Sequence, residues 1–279
     1  MCWAAPPDGD CRTGPRGLDG MKTPISCVLI AKNEEERIAG CLESLAWADE
    51  IVVVDSGSTD NTAAVAGRFT DHVFDIPWQG FGPQKQAAVE RASYDLVLNV
   101  DCDERVTPEL AMEIQEIARR SDYCPGYTVP RRTFLGDKEI RYSGWNPDRT
   151  IRLFDRRRAR FSDDLVHERV IVDGVVGECR HHLLHYSFTG IGDMLTKLAR
   201  YSDLSSRQMF EKGRECRLFD LTFRPLFAVM KTYILKKGFL DGVEGLEIAV
   251  TTGMLTFTKY AKLRELRRHS RQQNKESLE

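Results

Sequence analysis

The chain has 279 residues, of which 42% are hydrophobic and 29% are charged. These values are ordinary for a globular protein and exclude a disordered chain or a protein with many membrane spans. The 40 lysines and arginines nearly balance the 42 aspartates and glutamates, and the formal net charge is -2. Because the chain as a whole offers no general attraction to polyanions, we expect an enzyme-sized fold with no nucleic acid partner.

The chain begins with MCWAAPPDGDCRTGPRGLDG, a segment rich in glycine and proline. This segment lacks the basic stretch followed by an apolar stretch that is typical of a secretory signal, so we expect a cytoplasmic protein. Residues 1–22 are predicted to form a disordered leader, because they hold few side chains that a core would bury.

Four short apolar runs rich in valine and isoleucine recur at intervals too long for hairpins. They are ISCVLIA (25–31), EIVVVDS (50–56), DHVFDI (71–76) and YDLVLNVD (94–101). The segments between them have helical periodicity, as in EEERIAGCLESLAWA, where Ile38, Leu42 and Leu45 share one face. This alternation predicts an α/β fold with a mostly parallel central sheet and helices on both faces.

Polar residues follow three of these four strands, in AKNEE (31–35), DSGSTD (55–60) and DCDER (101–105). The carboxyl ends of parallel strands form one edge of the sheet, where ligands bind in such folds. Neither a GxxxxGK[ST] loop nor a GxGxxG after the first strand is present, which argues against P-loop and dinucleotide sites. Asp101 and Asp103 could both reach a hard cation that bridges substrate phosphates. The alternative is that these strand ends are polar only because they meet solvent.

Together the motifs resemble glycosyltransferase family 2, whose members have the GT-A fold. The resemblance is closest to bacterial lipopolysaccharide inner-core β-1,4-glucosyltransferases. The segments that show this resemblance are CVLIAKNEEERIAGCLESL, EIVVVDSGSTDNT, GFGPQKQAAVERA, LNVDCDER, RLFDRRRARFSDDLVHE and HHLLHYSF. It implies a GT-A domain over residues 23–190, with a nucleotide-binding half (23–105) and an acceptor half (106–190).

The resemblance also implies which residues bind the donor. The nucleotide sugar is expected to contact Ala31, Asn33, Glu34, Asp55, Ser58, Asp60, Lys85, Asp101 and Cys102. A divalent metal, Mg²⁺ or Mn²⁺, is expected at Asp103, Asp101 and His185. The alternative for Lys85 is a solvated helix lysine, and the alternative for His185 is a packed core residue.

The best candidates for proton chemistry lie in DDLVHE (163–168). Inverting sugar transfer needs a carboxylate that takes the proton of the acceptor hydroxyl. Glu168 is the first choice as this base, by its place in the family pattern, and Asp164 or Asp163 come second. The alternative is that these acids only pair with RRRAR (156–160) on a surface. The basic run of Arg152 and residues 156–160 is typical of a solvated face, and the alternative is that it contacts a phosphorylated acceptor or the donor diphosphate.

Residues 191–279 are predicted to form a helical extension that is amphipathic and basic. TFRPLFAVMKTYILKKGFLDG (222–242) mixes apolar and basic residues, and its uncharged runs are too short to span a bilayer. Residues 259–271 carry six lysines and arginines against Glu265, a composition that suits an anionic lipid surface. The alternative is a core helix with a solvated tail.

These features predict an inverting transferase that moves a hexose, with glucose as first choice, from UDP-glucose or a similar donor to a lipid-linked saccharide. The expected acceptor is the lipopolysaccharide inner core. The expected location is the inner face of the bacterial plasma membrane, with the oligomeric state left open. Alternatives are a different acceptor (polyprenyl phosphate, a capsule precursor or a peptide) or a non-catalytic scaffold that binds sugar nucleotides.

Overall fold

The computed structural model describes residues 22–162 and 168–276. The chain divides into two compact units. The first unit comprises the residues up to Arg131 and Asp148–His185, and the second comprises Arg132–Pro147 and Tyr186–Glu279. The boundaries expected from the sequence, at residues 22, 105 and 190, stay predictions.

In the first unit, strands and helices alternate as predicted up to residue 99. The elements are β1 (Ile25–Ala31), α1 (Glu35–Glu43), β2 (Glu50–Asp55), α2 (Thr62–Ala66), β3 (Val73–Asp75), α3 (Phe81–Arg91) and β4 (Leu96–Asn99). β5 (Glu104–Val106) and α4 (Pro108–Ala118) follow. Thr107 begins α4, since its hydroxyl accepts a hydrogen bond from the amide of Leu110 and Pro108 occupies the first turn.

Further strands follow α4. They are β6 (Gly126–Leu135), β7 (Lys138–Ile140), β8 (Arg149–Asp155), β9 (Ala159–Phe161), β10 (Val170–Val172), β11 (Val176–Glu178) and β12 (Leu183–Phe188). β3, β2, β1 and β4 are parallel, in that order. β8 pairs antiparallel with β4, with Leu153 opposite Leu98. The sheet is therefore mostly parallel at one side and mixed at the other, and the predicted fold class is confirmed.

Two register relationships position the site. Because β8 runs against β4, Arg152 comes level with the carboxyl end of β4, where Asn99 lies. β5 pairs antiparallel with β12, and Glu104 lies opposite His185. Residues far apart in the sequence thus meet at one edge of the sheet.

The strands bury side chains on both faces, as expected for a sheet covered by helices on both sides. On one face, Leu29 of β1 packs with Ile38 and Leu42 of α1. On the other face, Val28 packs with Val89 of α3. Burying each such side chain contributes about 1.5–3 kcal/mol of stability.

The second unit is largely helical, as predicted. Its helices are α5 (Ile191–Glu211), α6 (Leu218–Met230) and α7 (Val243–Glu276), with a π-helical turn (Lys231–Leu235) and a 3-10 turn (Gly238–Asp241) between α6 and α7. Asp220 caps α6, since its carboxylate accepts a hydrogen bond from the amide of Arg217 at 2.9 Å. Within the described residues, no helix is long and apolar enough to cross a membrane.

Candidate functional site

The loop after β1 is hydrogen-bonded to the loop after β2. The side-chain oxygen of Asn33 accepts from the amide of Thr59 at 2.8 Å, and the hydroxyl of Ser58 accepts from the amide of Asn33 at 2.9 Å. Ser58 donates in turn to Asp55 at 2.5 Å. Asn33 has a φ of 54°, a conformation that asparagine tolerates better than most residues. Three predicted donor-binding residues therefore hold one another in place.

A second set of hydrogen bonds joins the same loops further along. The amide of Glu34 donates to the hydroxyl of Thr62 at 2.8 Å, and this hydroxyl donates to Asp60 at 2.5 Å. Ala31 is buried at the end of β1, and its carbonyl accepts from the amide of Ser56. Any contact that Ala31 makes with a ligand must therefore come from its backbone.

Lys85 of α3 and Arg152 of β8 enclose the carboxylate of Asp101. Lys85 Nζ lies 2.9 Å from one carboxylate oxygen, and Arg152 Nη2 lies 2.6 Å from the other. Both cations are buried, with 7% and 6% of their side-chain surfaces exposed. Lys85 is thus a buried member of the site, and its alternative as a solvated helix lysine is wrong. Arg152 does not belong to a solvated face.

Charge pairing outweighs burial in this cluster. Burial would raise the pKa of Asp101, but Arg152 and Lys85 lower it far below its usual value. Burial would lower the pKa values of Lys85 and Arg152, but the neighbouring carboxylates raise both. All three groups are therefore charged at neutral pH.

Glu104, whose role the sequence did not indicate, is fully buried beneath this cluster. One carboxylate oxygen accepts from Arg152 at 2.5 Å and from Arg131 at 3.1 Å. The other accepts from the amide of Asp101 at 3.0 Å. Glu104 therefore holds both the backbone of Asp101 and the arginine that pairs with its side chain. The sequence signal that could have found it is Arg152 between Ile151 and Leu153, because an arginine buried in a strand needs an acidic partner.

Asp103 and His185 form the second pair in the site. Asp103 Oδ2 lies 3.5 Å from His185 Nε2, and both side chains are about one-fifth exposed. A single ion could contact both atoms, and a nucleotide's phosphate oxygens would complete its coordination, as is usual for Mg²⁺. Within the described residues, no three acidic, histidine or cysteine side chains are grouped around one metal position. The structure thus pairs Asp103 with His185, while the oxygens of Asp101 face Lys85 and Arg152.

Glu168 joins the site through Lys85. Its carboxylate accepts a hydrogen bond from Lys85 Nζ at 3.0 Å, although the two residues are 83 positions apart. Asp164 and Asp163 lie outside the described residues. Cys102 is buried with its thiol against the carbonyl of Ile30 at 3.3 Å, so its backbone is the part that could meet a nucleotide.

Arg105 fixes the turn that carries these acids. Its guanidinium donates to the carbonyls of Cys102 and Glu104 at 2.9 and 2.8 Å and to that of Arg37 at 2.8 Å. A Cβ atom at Gly40 would lie 2.8 Å from Arg105 Nε, so glycine leaves room for this contact. Sequence reasoning missed this arginine.

The model of "Glycosyl transferase family 2" matches residues 26–174, which is more than half of the chain. The chain belongs to glycosyl transferase family 2. The family resemblance expected from the motifs is therefore confirmed, and this glycosyltransferase carries its Asp101, Asp103 and Glu168 within the matched residues.

The similarity of this glycosyltransferase to its relatives extends beyond the domain that the family model matches. It is 34% identical over 254 residues to the lipopolysaccharide core biosynthesis glycosyltransferase LpsC of Rhizobium meliloti, covering 87% of this chain and 92% of LpsC. It is 30% identical over 255 residues to an uncharacterized glycosyltransferase of Rickettsia conorii, covering 86% and 90%.

Among solved structures, one match is glucosyl-3-phosphoglycerate synthase from Mycobacterium tuberculosis in complex with Mn²⁺, UDP-glucose and glycerol 3-phosphate. It is 32% identical, covers 29% of this chain and 34% of that chain, and has a TM-score of 0.27. This TM-score is too low for a comparison of site geometry.

Proposed function

We propose that this glycosyltransferase moves a hexose, glucose as first choice, from a nucleoside diphosphate donor such as UDP-glucose to a lipid-linked saccharide of the lipopolysaccharide core. The observation that carries the proposal is the bridge that Lys85 makes between Asp101 and Glu168. It joins a donor-side acid and the candidate base in one cluster. The 34% identity to LpsC, which covers most of both chains, supports the acceptor class.

The donor would lie over the loops after β1 and β2. Asn33, Ser58 and Asp55 are already ordered by hydrogen bonds to one another, and Asp60 is held by the amide of Thr62, so binding would cost little loop entropy. Lys85 would also attract the negatively charged diphosphate. Because Lys85 is buried, this electrostatic attraction would be stronger than in water.

Asp103 and His185 would hold Mg²⁺ or Mn²⁺ on the diphosphate. When bound, such an ion supplies positive charge that stabilises the leaving nucleoside diphosphate. Carboxylate and imidazole are suitable ligands for Mn²⁺, and Mg²⁺ needs only one or two protein ligands beside phosphate oxygens.

Glu168 would act as the base. The acceptor hydroxyl oxygen attacks the anomeric carbon while its proton passes to Glu168, and the bond from the anomeric carbon to the diphosphate oxygen breaks with inversion. Lys85, held between Glu168 and Asp101, orients the carboxylate for this transfer. Asp164, outside the described residues, remains the alternative base.

The test measures UDP release and glycolipid product with Mn²⁺, using purified lipopolysaccharide core acceptors of different lengths and a polyprenyl phosphate. We expect product only with a core acceptor and slow UDP release without any acceptor. Asp103→Ala should abolish nearly all turnover, and full activity of this variant in the presence of a chelator would disprove the metal role. Transfer to polyprenyl phosphate alone would show that this compound class, and not the lipopolysaccharide core, is the acceptor. Donor binding without turnover on any acceptor would favour a non-catalytic scaffold.

For a lipid-linked acceptor, the enzyme would work at the inner face of the plasma membrane as a peripheral protein. This location follows from the proposed acceptor and a cytoplasmic donor.

A further inference from the structure

The helices α6 and α7 of the second unit present an unusual amount of apolar surface. Phe219, Phe223, Leu226, Phe227 and Met230 of α6 are each about half exposed or more. Phe219, Phe223, Leu226 and Met230 recur at intervals of three or four residues with Phe227 beside them, so the five form one stripe along the helix. The rings of Phe219 and Phe223 stack with centroids 5.2 Å apart.

A second stripe runs along α7. Val243, Leu246, Val250, Met254 and Phe257 follow one another at intervals of three or four residues, and their exposed fractions range from 42 to 69%. Between the two helices, the turns at Lys231–Leu235 and Gly238–Asp241 add Leu235 and Phe239 to the exposed apolar residues. We call these two stripes and their connecting turns the apolar hairpin face.

The stripes are not the surfaces by which the two helices pack together. α6 and α7 meet at Gly253, where a Cβ atom would lie 2.5 Å from a methyl carbon of Val229 and 3.2 Å from the carbonyl oxygen of Pro225. Ile248, Ala249 and Leu263 of α7 are buried and supply its inner side. The stripes therefore remain exposed after this packing is complete, and exposed apolar surface of this extent marks an interaction site.

Charge on residues 218–243 has one sign at the surface. Both carboxylates in this range are buried: Asp220 pairs with Arg224 at 2.5 Å, and Asp241 accepts from the amide of Tyr142 and the hydroxyl of Ser143. The exposed ionic residues are Arg224, Lys231, Lys236 and Lys237. The three lysines make no ion pair with any described residue.

The charges around the apolar hairpin face indicate which partner this face would bind. Exposed aromatic and aliphatic side chains bordered by four exposed cations, with Glu244 and Glu247 as the only partly exposed carboxylates among residues 218–257, match an interface of apolar chains and anionic headgroups. A second copy of the same face would oppose four exposed cations with only two partly exposed carboxylates, Glu244 and Glu247, and so would leave like charges unpaired. No described helix can span the bilayer, so the contact would lie in the plane of the interface.

The basic tail of α7, residues 259–271, is a weaker candidate for contact with an anionic membrane than the sequence indicated. Lys262 pairs with Asp203 at 2.7 Å, and Arg271 pairs with Glu215 at 3.1 Å. Arg267 donates to the backbone carbonyls of Phe210 and Arg214. Three of the six basic residues in 259–271 are thus used to dock α7 on α5 and the segment after it.

We propose that the apolar hairpin face is a membrane-docking surface that inserts into the interface of an anionic bilayer. The proposal deepens the proposed function, since a lipid-linked acceptor would be met at that surface, but the docking itself needs neither donor nor metal. It assigns the contact to residues 218–257 and not to the basic tail.

The test uses the full chain and sedimentation with vesicles of phosphatidylglycerol and phosphatidylethanolamine, with phosphatidylcholine vesicles for comparison. We expect binding to the anionic vesicles only, reduced by salt. Phe223→Asp with Phe227→Asp should weaken it by roughly tenfold or more, because two insertions are lost. Lys231→Gln with Lys236→Gln should weaken it by roughly 30-fold.

Two matched variants serve as controls. Met112→Asp changes an equally exposed apolar residue on α4, and Arg264→Gln with Arg268→Gln removes exposed charges from the tail. Both should bind vesicles like the unmodified chain. Thermal unfolding should show that all variants fold, and the milder Phe223→Ser replaces the double variant if it does not.

Three results would overturn the proposal. They are no binding of the unmodified chain to anionic vesicles, unchanged binding of the folded phenylalanine variant, and loss of binding only in the tail variant. A dimer that the phenylalanine variant converts to a monomer, with vesicle binding unchanged, would assign the face to a second copy. UDP release in the absence of vesicles is measured in parallel. If UDP release is absent while vesicle binding is normal, only the proposed function is refuted. If UDP release is present while vesicle binding is absent, only the docking surface is refuted.

Discussion

Glu104 and Arg152 form a buried ion pair, with 2.5 Å between a carboxylate oxygen and Nη2. Arg152 also holds Asp101, and Glu104 accepts from the amide of Asp101. The two residues therefore fix Asp101 through its side chain and its backbone at once. Glu104, the acid that follows the two aspartates of DCDER, therefore holds the first of them in position.

Glu104→Gln is expected to lower the free energy of unfolding by about 3 kcal/mol, because it leaves the charge of Arg152 less compensated in a buried place. Urea denaturation measures the change. Glu116→Gln, at an exposed position of α4, is the matched control and should leave stability unchanged. Equal stability of the two variants would show that Asp101 alone compensates Arg152.

Lys85→Met is expected to lower kcat/KM for the donor by about 100-fold, because the cation that joins Asp101 and Glu168 is lost from a buried site. Steady-state UDP release measures it, and Lys212→Met, at an exposed position after α5, is the control. Wild-type turnover by Lys85→Met would exclude this residue from the reaction.

Asn33→Ala and Asn33→Gly separate two properties of Asn33. Both variants lose the oxygen that accepts from the amide of Thr59, but only alanine is strained at a φ of 54°. Asn33→Ala should therefore be less stable than Asn33→Gly by about 1 kcal/mol in chemical denaturation. Equal stabilities would mean that the loop relaxes without cost.

We expect Glu139 to make a contribution to the stability of the second unit that depends on pH in the acidic range. The hydrogen bonds from Arg132, opposed by burial and aided by Arg141, lower the pKa of Glu139 from 4.5 to about 2. A lowered carboxylate pKa stabilises the fold above the unfolded value, and this contribution is lost as the pH falls from 4.5 to about 2.

The destabilisation caused by Glu139→Gln should therefore be full at pH 7 and shrink across that acidic range. Thermal unfolding at a series of pH values measures it. Arg132→Gln, which removes the same pairing, should show the same pH dependence. A destabilisation that is constant with pH would show that the pairing with Arg132 is not its source.

Much of the first unit could be predicted because its signals are local. The runs around Val28, Val53 and Leu98 are apolar and short, and the helical segments between them have a clear period. The acids at 101 and 103 were found because parallel strands place their carboxyl ends together. Lys85 was expected from the family resemblance, and its burial was not.

Residues of the second half were harder to place. Arg152 lies in a basic run whose other members suggested a solvated surface, and burial depends on which strand lies beside β8. Glu104 had no assigned role because its partners, Arg131 and Arg152, are distant in the sequence. Such partners come together only when the antiparallel pairing of β8 and β4 exists.

By itself, the sequence determined the α/β alternation, the family and the polar rim that follows its strands, since periodicity and motif order are properties of neighbouring residues. Only the tertiary structure decided that Asp101 faces two cations, that Asp103 lies beside His185, and that the apolar stripes of α6 and α7 point outward. These facts depend on strand register and helix packing, where burial and charge pairing over long sequence distances set the free energy.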